Sequence, residues 1–417
     1  MIKSLLKNII LSLLLFRAQK VLDHGAEIIA ITGSMGKTTT KNLLSALLAE
    51  KYEVLSSREG FNTPIGIALS LVQEGSSGFS SPSKWMKILW KTYTKTLPKP
   101  QKIVLEFGVD QRGDMDELLA IAHPKIAIVT NIAPVHLGKG HFRNVREILH
   151  EKAKLPLAIP SSGMCLINGE DENLQTLKDQ DISKIVWYGK SSEYEAQCID
   201  VRHEPTGISF VYASNGERLE FFLPVIGSFF AELATPVIFL ARKYGISPEK
   251  IETVFKSFLP SPGRGRILKG KKESILWDQS YNSNPKAVFS ALEDLKNVPA
   301  SRKIVLLGSM NELGEESSAF HEELGEKAGE TADLILFVGS HGLSVGKGAE
   351  KSGKNITLFH TAQDAGKHLA DILQEGDFIL IKGSQGGIFL ERAVELLLEN
   401  PEDERLLCRR GEEWKDL

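Results

Sequence analysis

Three cysteines in 417 residues, Cys165, Cys198 and Cys408, are too few and too scattered for a disulfide framework, and none has metal-ligand spacing. They fit a reducing, cytoplasmic setting, each as a small buried hydrophobe. Excess charge of one sign is missing as well: 50 Lys and Arg stand against 53 Asp and Glu, a formal net charge of −3. Nucleic acid is thereby excluded as a partner, because its electrostatic footprint is clustered excess Lys and Arg. A small anionic ligand is not excluded, since a local phosphate site needs no basic whole. Low-complexity tracts and internal repeats are absent. So is any apolar run near the roughly 20 residues that a spanning helix needs. The nearest lies in the opening MIKSLLKNIILSLLLFR, where a short apolar stretch from Ile9 to Phe16 has Lys3, Lys7 and Arg17 around it. No small-residue cleavage site follows; Arg17-Ala18-Gln19-Lys20 does, and a strand begins by about Glu27. Residues 1–26 therefore read as an amphipathic helix that either docks on the protein body or makes peripheral contact with the inner membrane surface through residues 1–20.

What is present is an ordinary globular composition, 42% hydrophobic and 25% charged, in a chain long enough for two or three domains. From Glu27 short β-branched runs alternate with helical periodicities, the pattern of parallel α/β layers. Strands are expected at Ile28 to Thr32, Ile103 to Phe107, Ile126 to Asn131 and Met164 to Asn168. A two-residue period from Ile208 to Pro224 around Ser214-Asn215-Gly216 reads as a β-hairpin. A helix from Phe229 to Tyr244 stops at Gly245. Pro260-Ser261-Pro262-Gly263 then breaks the pattern and divides a domain over 27–260 from one over 261–417. The second is Rossmann-like, with strands at Ile275 to Asp278, Ile304 to Gly308, Leu334 to Val338, Ile356 to Phe359 and Phe378 to Lys382, and helices such as Pro285 to Leu295 and Ile388 to Leu398.

One motif carries chemistry on its face. The strand ending at Thr32 runs into Gly33-Ser34-Met35-Gly36-Lys37-Thr38-Thr39, a short G-x-x-G-K-T phosphate loop. A glycine turn opening a helix presents backbone N–H groups and the positive end of the helix dipole to phosphate oxygens. Lys37 is placed to reach the β- and γ-phosphates of ATP, and the Thr38 hydroxyl to hold Mg²⁺.

The chain here resembles the Mur ligase family, whose phosphate loop reads T-G-(S/T)-x-G-K-(T/S). Further stations recur in the family's order: Asn62-Thr63-Pro64-Ile65-Gly66, Leu105-Glu106-Phe107-Gly108, Ala133-Pro134-Val135-His136-Leu137, Glu151-Lys152-Ala153-Lys154-Leu155 and a variant of N-x-D-D from Asn168. Gly263-Arg264, the run Asp278 to Pro285, the run Gly308 to Gly314 and Lys382-Gly383-Ser384 follow, and Gln385 and the stretch Leu407 to Trp414 are similar to shortened members. The resemblance implies a P-loop-type central domain and a Rossmann-like C-terminal ligase domain. It also implies ATP-dependent, ADP-forming amide-bond synthesis through an acyl phosphate. The type it resembles most adds D-alanyl-D-alanine to UDP-N-acetylmuramoyl-tripeptide in peptidoglycan precursor synthesis; a different acceptor, such as polyglutamate, or a degenerate binding scaffold are the alternatives.

By the same resemblance two Mg²⁺ ions are implied, one held by Thr38 and Glu106. The other is held by His136 with Lys152, once carbon dioxide has made that lysine an anionic carbamate; Lys154 is the rival position, and both could instead belong to a solvated helix face. Arg264 is implied to clamp the transferring phosphate, Asp278 and Asn282 to contact ATP, and Asn62, Thr63, Lys382, Gly383 and Ser384 to contact the muramyl-peptide and dipeptide substrates. The chain departs from the pattern in four places. Fewer than about 30 residues precede the first strand, where relatives carry a uridine-binding domain; Gly227-Ser228-Phe229-Phe230 replaces G-x-H-N; Gln279 replaces an Asp; and Phe389 stands where an Arg is expected. These fall on groups that contact uridine, adenine, ribose and the incoming amino acid in relatives. A monomer is expected.

Overall fold

The computed structural model describes residues 2–410, apart from 59, 76–81, 136, 137, 139, 140, 183 and 205, and the backbone alone at 2–8 and 82–84. Packing divides the chain into two units, the first comprising Met1–Ile199, Tyr212–Leu219 and Glu232–Val254, the second Asp200–Val211, Glu220–Ala231 and Phe255–Leu417. The sequence break at 260–263 is therefore accompanied by an exchange of segments from the hairpin region.

Elements of the first series are α1 (Ile2–Leu22), β1 (Glu27–Thr32), α2 (Lys37–Ala49), β2 (Val54–Ser56), α3 (Pro64–Leu71), α4 (Pro82–Thr94), β3 (Lys102–Glu106), α5 (Asp114–Ile121), β4 (Ile126–Val129), α6 (Val145–Leu157), β5 (Met164–Asn168), α7 (Glu172–Gln175), β6 (Ile185–Gly189), β7 (Ala196–Glu204), β8 (Gly207–Ser214), β9 (Glu217–Leu223), α8 (Phe229–Lys243) and α9 (Pro248–Lys256). Their sheet has the order β2-β3-β1-β4-β5-β6-β7-β8-β9. Strands β2 to β7 pair in parallel. The expected hairpin is present: Asn215 and Gly216 have φ of 52° and 80°, the two positive values that a tight two-residue turn between twisted strands requires. Strand β4 stops two residues short of the expected Asn131, because Thr130 and Asn131 turn to hold the glycine loop described below.

The first helix docks on the body. Ile10, Leu14, Ala18 and Val21, spaced to share one helix face, are buried in the same core as Ile67, Leu71 and Trp85. Arg17 then donates to the Thr92 carbonyl from Nε (3.1 Å) and Nη2 (2.9 Å), and to the Lys95 carbonyl (3.2 Å), so its charge satisfies the otherwise unpaired C-terminal end of α4. Among the described residues no helix is long and apolar enough to cross a membrane.

The second series runs β10 (Arg266–Lys269), β11 (Ile275–Gln279), α10 (Pro285–Asn297), β12 (Lys303–Gly308), α11 (Ser317–Thr331), β13 (Leu334–Val338), α12 (Gly342–Lys351), β14 (Ile356–Phe359), α13 (Ala362–Ile372), β15 (Phe378–Lys382) and α14 (Glu391–Leu397). The sheet order is β10-β11-β15-β12-β13-β14, parallel except for β10 at the edge. Alternate strand residues feed two cores. Val305, Leu307, Ile335 and Phe337 pack with α10, α11 and α12, while Ile304, Leu306, Leu336 and Val338 pack with α13 and α14, giving a three-layer doubly wound fold. Helices α11 and α12 touch backbone to backbone: a Cβ on Gly348 would stand 1.8 Å from the Glu322 carbonyl oxygen. The helix expected from Ile388 begins only at Glu391, after Phe389 takes the left-handed φ of 48°.

Candidate active site

In both sheets the sequence-selected residues gather at the carboxyl ends of the strands, on either side of the point where strand order reverses, which is where open α/β sheets bind ligands. In the first unit these ends belong to β1, β3 and β4.

The glycine loop is built by its neighbours. Gly33 has φ 143°, and a Cβ there would lie 1.9 Å from Thr130 Oγ1, so only glycine fits. Ser34 N donates to the Asn131 carbonyl (2.9 Å), Met35 N to Asn131 Oδ1 (2.9 Å), and Thr130 Oγ1 to the Met35 carbonyl (2.6 Å). Asn168 Nδ2 braces this support by donating to the Thr130 carbonyl (2.9 Å), and Asp171 accepts from Ile132 N (2.8 Å). Gly36 then caps α2 in the left-handed region at φ 79°, with no side chain over the helix start. The first turn of α2 thus opens without a side-chain cap and with the positive end of the helix dipole behind it, a start suited to receive an anion. Ser34, Met35 and Thr39 complete this turn.

Two lysines meet at one carbonyl. Lys37 Nζ donates to the Gly33 oxygen at 2.8 Å and Lys152 Nζ to the same oxygen at 3.1 Å. Lys152 is 2% exposed, and burial, followed by the charge of Lys37, holds its amine well below the usual lysine range; Asp110, Glu106 and Glu151 oppose the shift. Lys154 is of another kind. Its Nζ pairs with Asp116 (2.7 Å) and Glu151 (2.8 Å), and although burial opposes it, those hydrogen bonds raise its pKa. Depth and partners thus separate the two: Lys152 is enclosed beside the glycine loop, and Lys154 is partly exposed and paired with two carboxylates.

Thr38 Oγ1 donates to Glu106 Oε2 at 2.9 Å, both groups being buried. A hydroxyl and a carboxylate converging beside a phosphate loop are the hard oxygen donors that Mg²⁺ takes. Among the described residues no three His, Cys, Asp or Glu side chains gather as a metal cluster, so an ion here would draw further ligands from phosphates. His136 lies outside the described residues, as does Trp414. Asn62 packs on Gly108 just beyond β3, its carbonyl accepting from Gly108 N (3.1 Å), while Thr63 caps α3 by accepting from Gly66 N (3.4 Å).

Lys41 and Ser57 escaped the sequence reading. Lys41 is 2% exposed, donates to the Ser57 carbonyl (2.6 Å) and lies 4.0 Å from Glu106 Oε2; Ser57 Oγ accepts from Glu106 N (3.0 Å). The available signal was spacing, since Lys41 follows Thr38 by three residues on a helix and shares its face.

The second unit assembles its own set. Lys382, at the end of β15, is buried and donates to the Asn282 carbonyl (3.1 Å); burial first, then the nearby Arg264 charge, lowers its pKa to about 8, against the pull of Asp278. Asp278 is buried and accepts from Ser280 N (3.0 Å), and burial raises its pKa. Arg264 lies over the Tyr281 ring at 4.1 Å. Gly383 lets β15 approach β12, a Cβ there standing 3.2 Å from the Gly308 Cα, and Ser384 Oγ donates to the Ser283 carbonyl (2.9 Å) while accepting from Asn311 N (3.0 Å). Arg409 belongs to the terminal stretch Leu407 to Trp414. It is a buried clamp, donating to Glu391 Oε2 (2.9 Å) and the Tyr281 carbonyl (2.5 Å), with Phe389 5.6 Å away. At the departure Gly227-Ser228-Phe229-Phe230, Ser228 N and Oγ both bond Asp294 Oδ1, at 2.9 and 2.8 Å.

A family model for the Mur ligase middle domain matches residues 31–240, and one for the Mur ligase, glutamate ligase domain matches 263–385. The UDP-N-acetylmuramoyl-tripeptide--D-alanyl-D-alanine ligase of Rickettsia prowazekii is 29% identical over 382 residues, which cover 89% of this chain and 78% of the relative. The ligase of the same name from Bacillus subtilis is 26% identical over 387 residues, covering 91% and 77%. Among solved structures, the MurF ligase of Thermotoga maritima in complex with ADP matches with a TM-score of 0.76 at 23% identity, over 95% of this chain and 84% of that one.

Proposed function

Because the chain belongs to the Mur ligase family, we propose that it is an ATP-dependent, ADP-forming ligase that joins D-alanyl-D-alanine to UDP-N-acetylmuramoyl-tripeptide, as the names of its curated relatives say of them. The observation that carries this reading is the convergence of Lys37, Thr38, Glu106 and Lys152 around one glycine loop.

Condensing a carboxylate with an amine is uphill in water. The terminal carboxylate of the tripeptide therefore attacks the γ-phosphorus of ATP; the bond to ADP breaks as the acyl phosphate forms. The dipeptide amine then attacks the acyl carbon, gives up a proton, and inorganic phosphate leaves. In this scheme the α2 start and Lys37 hold the phosphates, and Thr38 with Glu106 holds one Mg²⁺. Lys152, carbamylated, and His136 hold a second. Ions held by these residues would supply the charge neutralisation that an anionic nucleophile needs to approach an anionic phosphate. Support for a carbamate at Lys152 is its burial and lowered pKa, since carbon dioxide adds only to an unprotonated amine. Arg264, Asp278 and Asn282 are assigned to the nucleotide and the transferring phosphoryl group, and Asn62, Thr63, Lys382, Gly383 and Ser384 to the peptide substrates. The working form is a cytoplasmic monomer with a central domain over 27–260 and a C-terminal domain over 261–417; within residues 1–20 the buried stripe of α1 docks on the body and the exposed Ile9, Leu13 and Phe16 are left for peripheral membrane contact.

The test is ADP and phosphate release with ATP against a panel of UDP-muramyl peptides crossed with D-alanyl-D-alanine, single amino acids and glutamyl peptides. Turnover with the tripeptide and D-alanyl-D-alanine is expected; turnover confined to another pair would overturn the substrate assignment and leave the ligase chemistry standing.

A further inference from the structure

Ten large hydrophobic residues are well exposed among the described residues, and six of them lie on two touching helices: Ile9, Leu13 and Phe16 on α1, and Met86, Trp90 and Tyr93 on α4. Each trio has the spacing of a single helix face. The two stripes adjoin, because Tyr93 Oη donates to the Leu13 carbonyl (3.1 Å) and the Arg17 guanidinium lies 5.3 Å from the Tyr93 ring centre. Trp90 is 67% exposed and Met86 71%, which water does not favour without a partner.

Charge is distributed as unevenly as the apolar surface. Residues 1–22 hold Lys3, Lys7, Arg17 and Lys20, and residues 75–105 hold Lys84, Lys87, Lys91, Lys95, Lys99 and Lys102; neither segment contains an Asp or Glu, in a chain whose net charge is −3. Beside the junction an open hollow of about 480 Å³ is lined by Arg17, Lys20, Lys95 and Lys99 together with Asp23 and His24. Lys95 is already paired with Glu74 at 2.5 Å, so Lys20 and Lys99 are the cations this hollow offers.

We propose that α1 and α4 together form a docking surface for an anionic lipid bilayer, with Phe16, Met86 and Trp90 entering the headgroup boundary and the flanking lysines meeting lipid phosphates. Aromatic residues among lysines, with cations outnumbering the nearby carboxylates Asp23 and Glu74, suit an interface that is apolar below and anionic above. This extends the reading of residues 1–20, in which α1 acts alone, by making α4 half of the surface. Since Leu14 and Ala18 are core residues, truncation is a poor test and point changes on the exposed stripes are a good one.

The measurement is co-sedimentation of the full chain with vesicles of equal parts phosphatidylcholine and phosphatidylglycerol, and with phosphatidylcholine alone, together with ligase turnover on soluble substrates. Binding to the anionic vesicles is expected, with a blue shift of tryptophan emission that Trp90→Phe diminishes. Phe16→Glu and Trp90→Glu are each expected to weaken binding at least about tenfold, and Lys87→Glu with Lys91→Glu about fivefold per lysine removed, all with turnover unchanged. If Phe16→Glu weakens binding and Trp90→Glu does not, the α1 reading stands and the two-helix surface is refuted. No binding of the unaltered chain to either vesicle refutes both. A dimer in solution that Trp90→Glu converts to monomer makes the face a contact between copies and likewise overturns the proposal.

Discussion

Replacing Lys152 by alanine removes a buried amine from the Gly33 carbonyl and, under the proposed chemistry, the carboxylate-like ligand of one metal ion. Removing one electrostatic contributor at a phosphoryl-transfer site costs about 3 to 4 kcal/mol of transition-state stabilisation, or about 10² to 10³ in turnover. Lys154 is the internal control. Its amine pairs with Asp116, whose side chain is 64% exposed, and with Glu151, which Gly113 N and Met115 N also bind. The exposed Asp116 pair is worth about 0 to 1 kcal/mol of stability, and the buried Glu151 keeps its two backbone donors, so Lys154→Ala should keep near-normal turnover. The assay is phosphate release from each variant across a series of acetate concentrations, with Lys37→Ala alongside. Acetate carries the oxygen pair that alanine lacks, and partial recovery is expected for Lys152→Ala alone. Undiminished turnover of Lys152→Ala without acetate, or acetate-dependent recovery in Lys154→Ala instead, would refute the assignment.

Gly33→Ala forces a Cβ to within 1.9 Å of Thr130 Oγ1 at a φ of 143°; loop displacement should abolish detectable ATP turnover, and a crystal structure of the variant with an unmoved loop would disprove the steric account. His321 is buried, its Nε2 accepting from Met310 N (2.9 Å), and burial lowers its pKa to about 4 from 6.5. The unfolded chain therefore binds this proton first, so stability should rise with pH from about 4 to 6.5, by up to about 3 kcal/mol, and His321→Gln should flatten that part of a urea-midpoint profile; an unchanged slope would count against it. Arg409→Ala leaves Glu391, 1% exposed, without its cation, and should cost about 3 to 5 kcal/mol in chemical denaturation; the double change with Glu391→Leu should recover much of that loss.

Sequence pattern reached the strands more surely than the helices because continuous β-branched runs announce buried parallel strands, and Met164–Asn168, Leu334–Val338 and Phe378–Lys382 coincide with expectation. It overran where polar residues leave the ladder to work: Thr130 and Asn131 continue the β4 pattern by composition, yet their side chains are spent on Met35. Phe389 in the left-handed region is invisible to periodicity, which is why α14 begins late. The phosphate loop was legible because its glycines and lysine are contiguous. Lys41, Ser57 and Arg409 were not, since each acts through a partner far along the chain: Glu106, or Glu391 and Tyr281. Lys152 and Lys154 look alike in sequence, and only their depth separates them.

The seating of α1 also has a bearing on biosynthesis. Its buried stripe and Arg17 are matched to Ile67, Leu71, Trp85 and the carbonyls of Thr92 and Lys95, all made some 45 to 80 residues later. At about 5 to 20 residues per second, the helix waits several seconds on the ribosome with both its apolar faces uncovered. During that interval nothing distinguishes the face destined for the core from the face bearing Phe16. The seat of α1 is therefore complete only once residue 95 has emerged.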